Sequence, residues 1–259
     1  MATLKSLICI ILVFNSYLFS QLLIAAENDF SSVEVQLKKA MQSQLRSAEE
    51  KIRDSNRLPI ETLRFFGLRS NMKVIELIPS GGWYTKLLAP VLSKEGHFSV
   101  AMGAKRIFET LAGKKGMDKI QLIDDKANIH RKPGARFYSL DKFSLGQTDA
   151  DIVFTFRNYH NFSEQGRRLM NEAVFEALKP GGIYAVVDHT RRHMQAFNEE
   201  NRRRIDPVLT IKEIQAAGFK LVDFSTLHYR ADDELRYEVG RKTVTGNTDR
   251  FTLKFVKPK

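Results

Sequence analysis

The residues most capable of chemistry follow an apolar run in the middle of the sequence. Ile152 to Phe156 is typical of a buried strand, and the polar residues Arg157, Asn158, His160 and Asn161 come directly after it. A histidine with its ordinary pKa of about 6.5 accepts a proton at neutral pH, and a guanidinium binds an anionic group through two hydrogen bonds. The segment therefore predicts a site with His160 as base and Arg157 as anion-binding residue. Asn158 and Asn161 would orient the substrate or the imidazole ring.

Structural roles compete with these assignments. A lone histidine at a strand end is more often a hydrogen-bonded structural residue, and Arg157 could instead pair with Asp188. His189 and His193 are four residues apart, a spacing that would place two metal ligands on one face of a helix. The sequence has no HExxH motif, and its single cysteine is Cys9, so it does not favour a metal site.

A second candidate segment follows the first clear strand, Lys73 to Ile78. The turn Ser80-Gly81-Gly82 joins this strand to a helix, and Glu76 lies within the strand. Glycine lets backbone amides approach a ligand closely, and the first amides of a helix favour an anionic group. The segment predicts a cofactor pocket, although a purely structural turn has a similar composition. Gly82→Val is expected to block the ligand's approach and to leave the fold intact.

The aromatic residues and arginines near these segments have simpler expected roles. Trp83 and Tyr84 are expected to pack in the core rather than to stack on a substrate. Arg202 to Arg204 is expected on a solvated helix face, with a lid over the cleft as the alternative. Arg250 is expected to anchor the last strand beside Asp249.

Helices and strands alternate along the chain, which would bring the polar segments to one edge of a sheet. Strands are predicted at Lys73–Ile78, Phe98–Met102, Ile152–Phe156, Tyr184–Val187, Lys220–Phe224 and Phe251–Val256, with weaker candidates at Gln121–Asp125 and Ala135–Tyr138. Helices are predicted at Ile60–Phe66, Tyr84–Leu92, Ile107–Leu111, Glu164–Leu178 and Ile211–Ala217. This order predicts an α/β fold, a mainly parallel sheet of about seven strands with helices on both faces. No helix separates the last two strands, which favours an antiparallel hairpin at the sheet edge.

The first 26 residues have the pattern of a secretory leader. Lys5 precedes a long apolar run, and Ala25-Ala26 comes before the acidic Glu27, so cleavage is expected after Ala26. An uncleaved membrane anchor is the alternative, because the apolar stretch approaches the roughly 20 residues that span a bilayer. The protein is therefore expected to be exported, to the periplasm or the extracellular space.

The segment after the leader is expected to form a surface helix. Apolar residues between Val33 and Ile52 recur every three to four positions, and the intervening residues are charged or polar. Residues 27–56 are therefore predicted to be an N-terminal helix, ahead of a single domain over residues 57–259.

The chain is basic, with 41 Lys and Arg against 30 Asp and Glu and a formal net charge of +11. Such a charge suits nucleic acid or an anionic membrane surface. Because export separates the protein from nucleic acid, peripheral contact with an anionic membrane is favoured and nucleic-acid binding is not expected.

Three stretches together resemble a known family. Glu76 to Thr85 contains the sequence Gly-Gly-Trp-Tyr-Thr, Phe156 to Asn161 reads Phe-Arg-Asn-Tyr-His-Asn, and the tail runs from Thr248 to Pro258. A Leu-Lys-Pro-Gly-Gly turn, common among methyltransferases, spans Leu178 to Gly182. Over residues 57–258 the sequence resembles exported class I S-adenosylmethionine (SAM)-dependent methyltransferases. The resemblance implies a Rossmann-like class I methyltransferase fold and SAM as the cofactor.

The resemblance also assigns residues to the cofactor. It implies that Glu76 and the turn Ser80-Gly81-Gly82 bind SAM, whose amino-acid tail would lie on that turn. It further implies that Asp141 contacts the adenine amino group.

The sequence departs from the class I pattern in two places. Class I enzymes carry three glycines in the turn after the first strand, and Ile78 and Ser80 replace the first two here. Such enzymes also offer an acidic residue to the ribose after the second strand, where this chain has Met102-Gly103.

Three functions remain open at this point. The first is a SAM-dependent methyltransferase that acts on a small molecule or an envelope component. The second is a non-catalytic exported binding protein on a degenerate methyltransferase fold, because SAM is made in the cytosol. A dinucleotide oxidoreductase ranks third, since the G-x-G-x-x-G fingerprint is absent.

Overall fold

The computed structural model describes residues 30–123 and 126–259, so the predicted leader lies outside the described residues. The strands are β1 (Lys73–Leu77), β2 (His97–Ala101), β3 (Ile120–Leu122), β4 (Ile129–His130), β5 (Ser139–Leu140), β6 (Ala150–Phe156), β7 (Leu178–His189), β8 (Lys220–Ser225) and β9 (Arg250–Val256). The helices are α1 (residues 30–41), α2 (Ala48–Ile52), α3 (Asp54–Arg57), α4 (Pro59–Phe66), α5 (Thr85–Leu92), α6 (Lys105–Leu111), α7 (Glu164–Ala177) and α8 (Pro207–Ala216), with a 3₁₀ turn at Tyr159–Asn161.

Seven strands form one sheet in the order β3-β2-β1-β6-β7-β9-β8. The first five of these strands run parallel, and β9 lies antiparallel between β7 and β8. This order confirms the predicted α/β fold, with the antiparallel pair at one edge. The chain builds outwards in opposite directions from β1 and β6, so the topological switch point, where such sheets bind ligands, lies between these two strands.

Helices cover both faces of the sheet, as strands that are apolar on both sides require. On one face, Leu63 of α4 and Leu87 of α5 pack with Phe154 of β6. On the other face, Met170 of α7 packs with Val153 of the same strand. Successive residues of β6 therefore serve opposite cores, and the strand is fixed in register from both sides.

The N-terminal segment is helical, but the predicted continuous helix between Val33 and Ile52 is wrong. The helix α1 ends at residue 41, and α2 begins at residue 48. The Ser47 hydroxyl accepts from the Glu50 amide at 3.3 Å, and the Glu50 carboxylate accepts from the Ser47 amide at 2.9 Å. This capping box starts a new helix, and it leaves Ile52 exposed instead of on the apolar stripe. Val33 in α1 is fully buried in the same core as β1.

The two weaker strand predictions have different outcomes. The predicted strand at 121–125 corresponds to β3, although Asp124 and Asp125 lie outside the described residues. The predicted strand at Ala135–Tyr138 is wrong, because Pro133-Gly134 forms a turn in which the Ala135 amide donates to the Lys132 carbonyl at 3.0 Å. The strand pair of this region is β4 with β5.

The predicted helix at Ile211–Ala217 begins earlier than expected, at Pro207. Asp206 caps it by accepting from the Val208 amide at 2.8 Å, and proline is favoured in the first turn. Within residues 30–123 and 126–259, every helix is too short or too polar to cross a bilayer.

Candidate functional site

A cavity of about 440 Å³ lies at the carboxyl ends of β1, β6 and β7, at the topological switch point. Six of the nine predicted site residues line it: Glu76, Ser80, Arg157, Asn158, His160 and Asn161. Gly81 and Gly82 belong to the turn beside the cavity but are not among its lining residues. Asp141, which follows β5, is not among the lining residues either, and its exposed carboxylate accepts from the Asn128 amide nitrogen at 2.7 Å.

The turn after β1 keeps a left-handed backbone although it lacks two glycines. Ile78 has φ 52° and Ser80 has φ 51°, a conformation that costs L-residues about 1–2 kcal/mol. Neighbouring strands hold the turn, because the Ile78 amide donates to the Ala101 carbonyl at 3.0 Å. The Asn158 amide nitrogen donates at 3.0 Å to the Ile78 carbonyl and at 3.0 Å to that of Phe156. Asn158 therefore clamps the turn to the end of β6.

Gly82 is required for packing between helices rather than for access to a ligand. Its φ is 74°, and a Cβ atom there would lie 2.8 Å from Cγ1 of Ile107 in α6. Gly82→Val is therefore expected to strain the fold as well as the turn, because the added side chain meets α6 at a left-handed φ. A Cβ atom on the neighbouring Gly81 would enter open space.

His160 forms a buried pair with Asp188 at the end of β7. Only 6% of His160 and 0% of Asp188 is exposed, and Nδ1 of the imidazole lies 2.5 Å from Oδ1 of the carboxylate. The carboxylate also accepts from the His160 amide at 3.0 Å and the His189 amide at 2.7 Å. Asp188 is thus committed to His160, and the alternative in which it pairs with Arg157 is wrong.

The Asp188 contact decides which imidazole nitrogen can do chemistry. A carboxylate that accepts from Nδ1 holds the neutral ring in the tautomer whose other nitrogen is a free acceptor. Nε2 of His160 has no hydrogen-bond partner among the described residues, and His160 lines the cavity. The site can therefore place a proton acceptor against a ligand.

His189 lies beside this pair and has a different environment. Burial above all, with a contribution from nearby cationic groups such as Arg157, lowers the pKa of His189 well below its ordinary value, so this ring is neutral. Its Nδ1 lies 2.9 Å from the Thr248 hydroxyl. His189 therefore serves as a hydrogen-bonding link between β7 and the segment that enters β9.

Arginines dominate the charge of the cavity wall. Arg57 is 3% exposed, and its guanidinium lies 4.3 Å from the Trp83 ring centre. Burial and the nearby charge of Arg157 lower the pKa of Arg57 to about 8. Burial likewise lowers the pKa of Arg157 and of Arg250 to about 10. These shifts indicate guanidinium groups that lack a counterion.

Arg250 anchors the last strand as expected, and it does so through backbone carbonyls and not through its neighbour Asp249. The Arg250 guanidinium donates to the backbone carbonyls of Asn56 and Thr248, whereas the Asp249 carboxylate accepts from the Arg230 amide at 2.8 Å. Arg250 therefore ties the start of β9 to the N-terminal segment and leaves the cavity positive.

Glu76 is the one acidic side chain among the described residues that line the cavity. It is 3% exposed, and the Thr85 hydroxyl donates to its carboxylate at 2.6 Å. Burial raises the pKa of Glu76 to about 7, although the Thr85 hydrogen bond and the charge of Arg57 oppose the change. The group therefore changes charge near neutral pH, where a cationic ligand would favour its ionised form.

A second cavity, of about 430 Å³, shares His160, Asn161 and Arg203 with the first. Its other walls include Arg131, Arg136 and the aromatic rings of the segment before β5. His160 therefore stands between two cavities, which is a suitable position for a residue that acts between two ligands.

Several neighbouring residues can now be assigned. Trp83 and Tyr84 pack as predicted: the Tyr84 ring stacks on Phe156 with centroids 3.6 Å apart, and both are buried. The prediction that Arg202 to Arg204 is solvated is wrong for Arg204. This residue is 2% exposed and makes two 2.9 Å hydrogen bonds to the Asp233 carboxylate. Groups of three or more metal-ligating side chains do not occur in the described part of the chain.

Three contributions were missed by the sequence reasoning. Arg57 is the first residue of the predicted domain, and no local pattern marks it as part of the site. Arg250 reaches the cavity because β9 runs antiparallel, which places its first residue opposite His189 at the carboxyl end of β7. Asp188 was considered as a partner of Arg157, and its pairing with His160 was missed.

Comparison with known proteins identifies the fold. No protein-family model and no curated protein matches the sequence. A SAM-dependent methyltransferase from Aquifex aeolicus is 14% identical with a TM-score of 0.55, over 86% of this chain and 98% of that one. The [4+2]-cyclase SpnF is 12% identical with a TM-score of 0.53, over 78% and 80% of the two chains. Human N-acetylserotonin methyltransferase in complex with SAM is 13% identical with a TM-score of 0.51, over 86% and 56%. The chain thus has the Rossmann-like fold of class I SAM-dependent methyltransferases.

Proposed function

We propose that the protein is a SAM-dependent methyltransferase that acts on a small molecule or an envelope component. One observation carries the proposal: a single cavity joins the left-handed turn after β1 to the buried His160–Asp188 pair. The fold alone does not determine activity, so the chemistry of this cavity has to support it.

The residues present fit the methionine end of SAM. That end carries a carboxylate, an ammonium group and a positively charged sulfur. The left-handed turn at Ile78 and Ser80 leads into α5, and backbone amides at such a turn favour a carboxylate. Glu76 offers the negative charge that suits the cationic groups.

The adenosine end has less defined support. The residues that follow β2 are Met102-Gly103, neither of which can accept a hydrogen bond from ribose through a side-chain oxygen. Asp141 remains a proposed contact to adenine, and its carboxylate is exposed and free to accept further donors.

The reaction would divide between the cofactor and the His160–Asp188 pair. When bound, SAM supplies a methyl group on positive sulfur, so the acceptor bonds to the methyl carbon while the carbon–sulfur bond breaks and leaves its electrons on sulfur. His160 Nε2 would take the proton that the nucleophile loses. Asp188 would stabilise the resulting imidazolium through its 2.5 Å contact with Nδ1. Asn158 would keep the turn after β1 in place against β6.

The proposal includes export of the protein. The leader pattern of residues 1–26 supports a periplasmic or extracellular location, or a membrane anchor if the leader is not cleaved. The net charge of +11 supports peripheral contact with anionic lipid. Both features suit an acceptor in the envelope.

A non-catalytic binding protein is the second candidate. Met102-Gly103 at the position of the usual ribose acid favours it, as does the expected export away from cytosolic SAM. The His160–Asp188 pair weighs against it, because a binding protein has no need of a buried carboxylate that orients a histidine.

Transfer of labelled methyl groups tests the proposal. Labelled SAM would be incubated with the purified protein and either a small-molecule extract or isolated envelope. We expect His160→Gln to lower turnover roughly 100-fold or more, as loss of a general base does, with SAM affinity unchanged. His97→Gln, at the exposed start of β2, is the matched control and should retain full activity. Full turnover in His160→Gln would contradict the role of this residue, and absence of transfer with absence of SAM binding would favour the second candidate.

A further inference from the structure

Four arginines line the cavity without an acidic partner: Arg53, Arg57, Arg157 and Arg250. Across the described ranges, none of their guanidinium groups forms an ion pair with a carboxylate. Arg53 comes just before α3 and Arg57 ends that helix, whereas Arg157 follows β6 and Arg250 begins β9. Segments that are distant in sequence therefore converge to concentrate positive charge in one place.

Hydrogen bonds to its carbonyl fix the position of Arg57 in the cavity wall. Its carbonyl accepts from the Thr62 hydroxyl at 3.1 Å and lies 3.0 Å from Nε2 of His228. Its guanidinium packs on Trp83, yet Nε and Nη1 are buried and have no hydrogen-bond partner within the described residues. Nε of Arg157 is also buried and without a partner. A buried cation is costly unless an anion compensates it, so the uncompensated charge of these two arginines at the cavity wall points to a missing anion.

The proposed cofactor cannot supply the missing charge. Its tail carries one carboxylate but also an ammonium group and a positive sulfur, so it adds net positive charge to the cavity. Glu76 is the sole acidic side chain at the described cavity wall, and its pKa of about 7 leaves it partly neutral. Compensation therefore requires a second anion.

A phosphate-type group has the properties that the arginines demand. It carries about −1.5 to −2 charges at neutral pH and three acceptor oxygens. Each guanidinium group binds two such oxygens through a pair of hydrogen bonds. A single carboxylate could pair in this way with one arginine only, whereas a phosphate has oxygens for more than one. The proposal about the acceptor that follows rests on the proposed function.

We propose that the cavity binds a phosphate or phosphonate group of the small-molecule methyl acceptor through Arg57, Arg157 and Arg250. These arginines bind and position the acceptor, and its nucleophile lies towards His160, which lines the same cavity.

Calorimetry and thermal melting of the purified full-length protein test this site, with inorganic phosphate and phenylphosphonate as probes at constant ionic strength. We expect saturable binding that Arg57→Gln and Arg157→Gln each weaken at least tenfold. Arg168→Gln is the matched control, because Arg168 is exposed on α7 and pairs with Glu172. Without ligand, Arg57→Gln should melt at or above the wild-type temperature, because a buried uncompensated charge is removed. An equal response to chloride, or an equal loss in Arg168→Gln, would overturn the proposal.

A second titration separates this proposal from the proposed function. Phosphate binding that persists at saturating SAM supports a separate acceptor anion. One-for-one competition between phosphate and SAM would overturn it, since the arginines would then hold the cofactor carboxylate, and the methyltransferase proposal would stand. Phosphate binding without any SAM binding would support the anion site and reject the methyltransferase.

Discussion

The carboxyl edge of the sheet has two halves that share a backbone and differ in chemistry. The polar half, at the ends of β1, β6 and β7, holds a buried cavity with arginines, Glu76 and His160. The apolar half, at the ends of β2 and β3, continues into Met102, which is 1% exposed in the core. Yet φ is left-handed at the residue after each of three strands: 52° at Ile78, 60° at Met102 and 61° at Arg157.

This contrast separates the evidence for the fold from the evidence for function. Strand order and strand-end backbone define the fold in both halves, and they would do so in an inactive relative. Among the described residues, the polar half adds buried donors, a proton acceptor and unpaired charge, and the proposed chemistry is assigned to it. Four predictions test whether the halves are as distinct as they look, from the largest expected effect to the smallest.

Gly82 joins the two halves, because its missing side chain lets the turn after β1 pack on α6. Gly82→Val should lower the free energy of unfolding by about 3 kcal/mol, from overpacking against Ile107 and a left-handed φ of 74°. Gly81→Val is the matched control, since its Cβ atom meets open space. Chemical denaturation measures both, and equal losses would show that packing between the halves does not depend on residue 82.

His228 stabilises the polar half because its ring bridges the Arg57 carbonyl and the Thr252 hydroxyl. Burial, helped by Arg250, lowers its pKa to about 4 from 6.5, so the unfolded chain binds a proton first as the pH falls. The resulting stability is fully present above pH 6.5 and is lost progressively towards pH 4, by about 3 kcal/mol. Unfolding of wild type and His228→Asn over this range measures the effect. The same pH slope in both proteins would contradict it.

Glu76 should couple cofactor binding to pH. Because burial raises its pKa to about 7, it is largely neutral at pH 6 and ionised above pH 7.5. A cationic ligand favours the ionised form, so SAM affinity should rise about tenfold between these pH values. Calorimetry should show release of a proton on binding below pH 7. Glu76→Gln should remove the dependence, and a dependence that survives the substitution would exclude Glu76 from the site.

Ser80 carries a glycine-like conformation at the cavity wall, and relief of its strain should be measurable. Ser80→Gly should raise the free energy of unfolding by about 0.5 kcal/mol, because the relief at φ 51° exceeds the entropy that glycine adds to the unfolded chain. Ser93→Gly, at an ordinary φ of −66° after α5, should lower it instead. A loss of stability in both variants would show that Ser80 is not strained.

The parts of the fold that follow from local periodicity were predictable from the sequence. β1, β2, β6 and β7 are apolar runs, and a polar cluster follows β6, so the strand order and the position of the cleft could be expected. The break before α2 was missed because a capping box interrupts an apolar repeat that continues beyond it.

The site was predictable where a residue lies within its strand, as Glu76 does, or soon after it. His160 and Arg157 fall into that class. Arg57 reaches the cavity through tertiary packing of a helix, and Arg250 through the antiparallel insertion of β9, so neither has a local signal. The His160–Asp188 pair depends on the 3₁₀ turn that carries His160 back towards β7.

Isothermal titration of the purified full-length protein with SAM, and separately with S-adenosylhomocysteine, tests most directly whether the polar half is a methyltransferase site. The proposed function predicts saturable one-to-one binding of SAM. Absence of heat at millimolar SAM, from protein shown by circular dichroism to be folded, would contradict it.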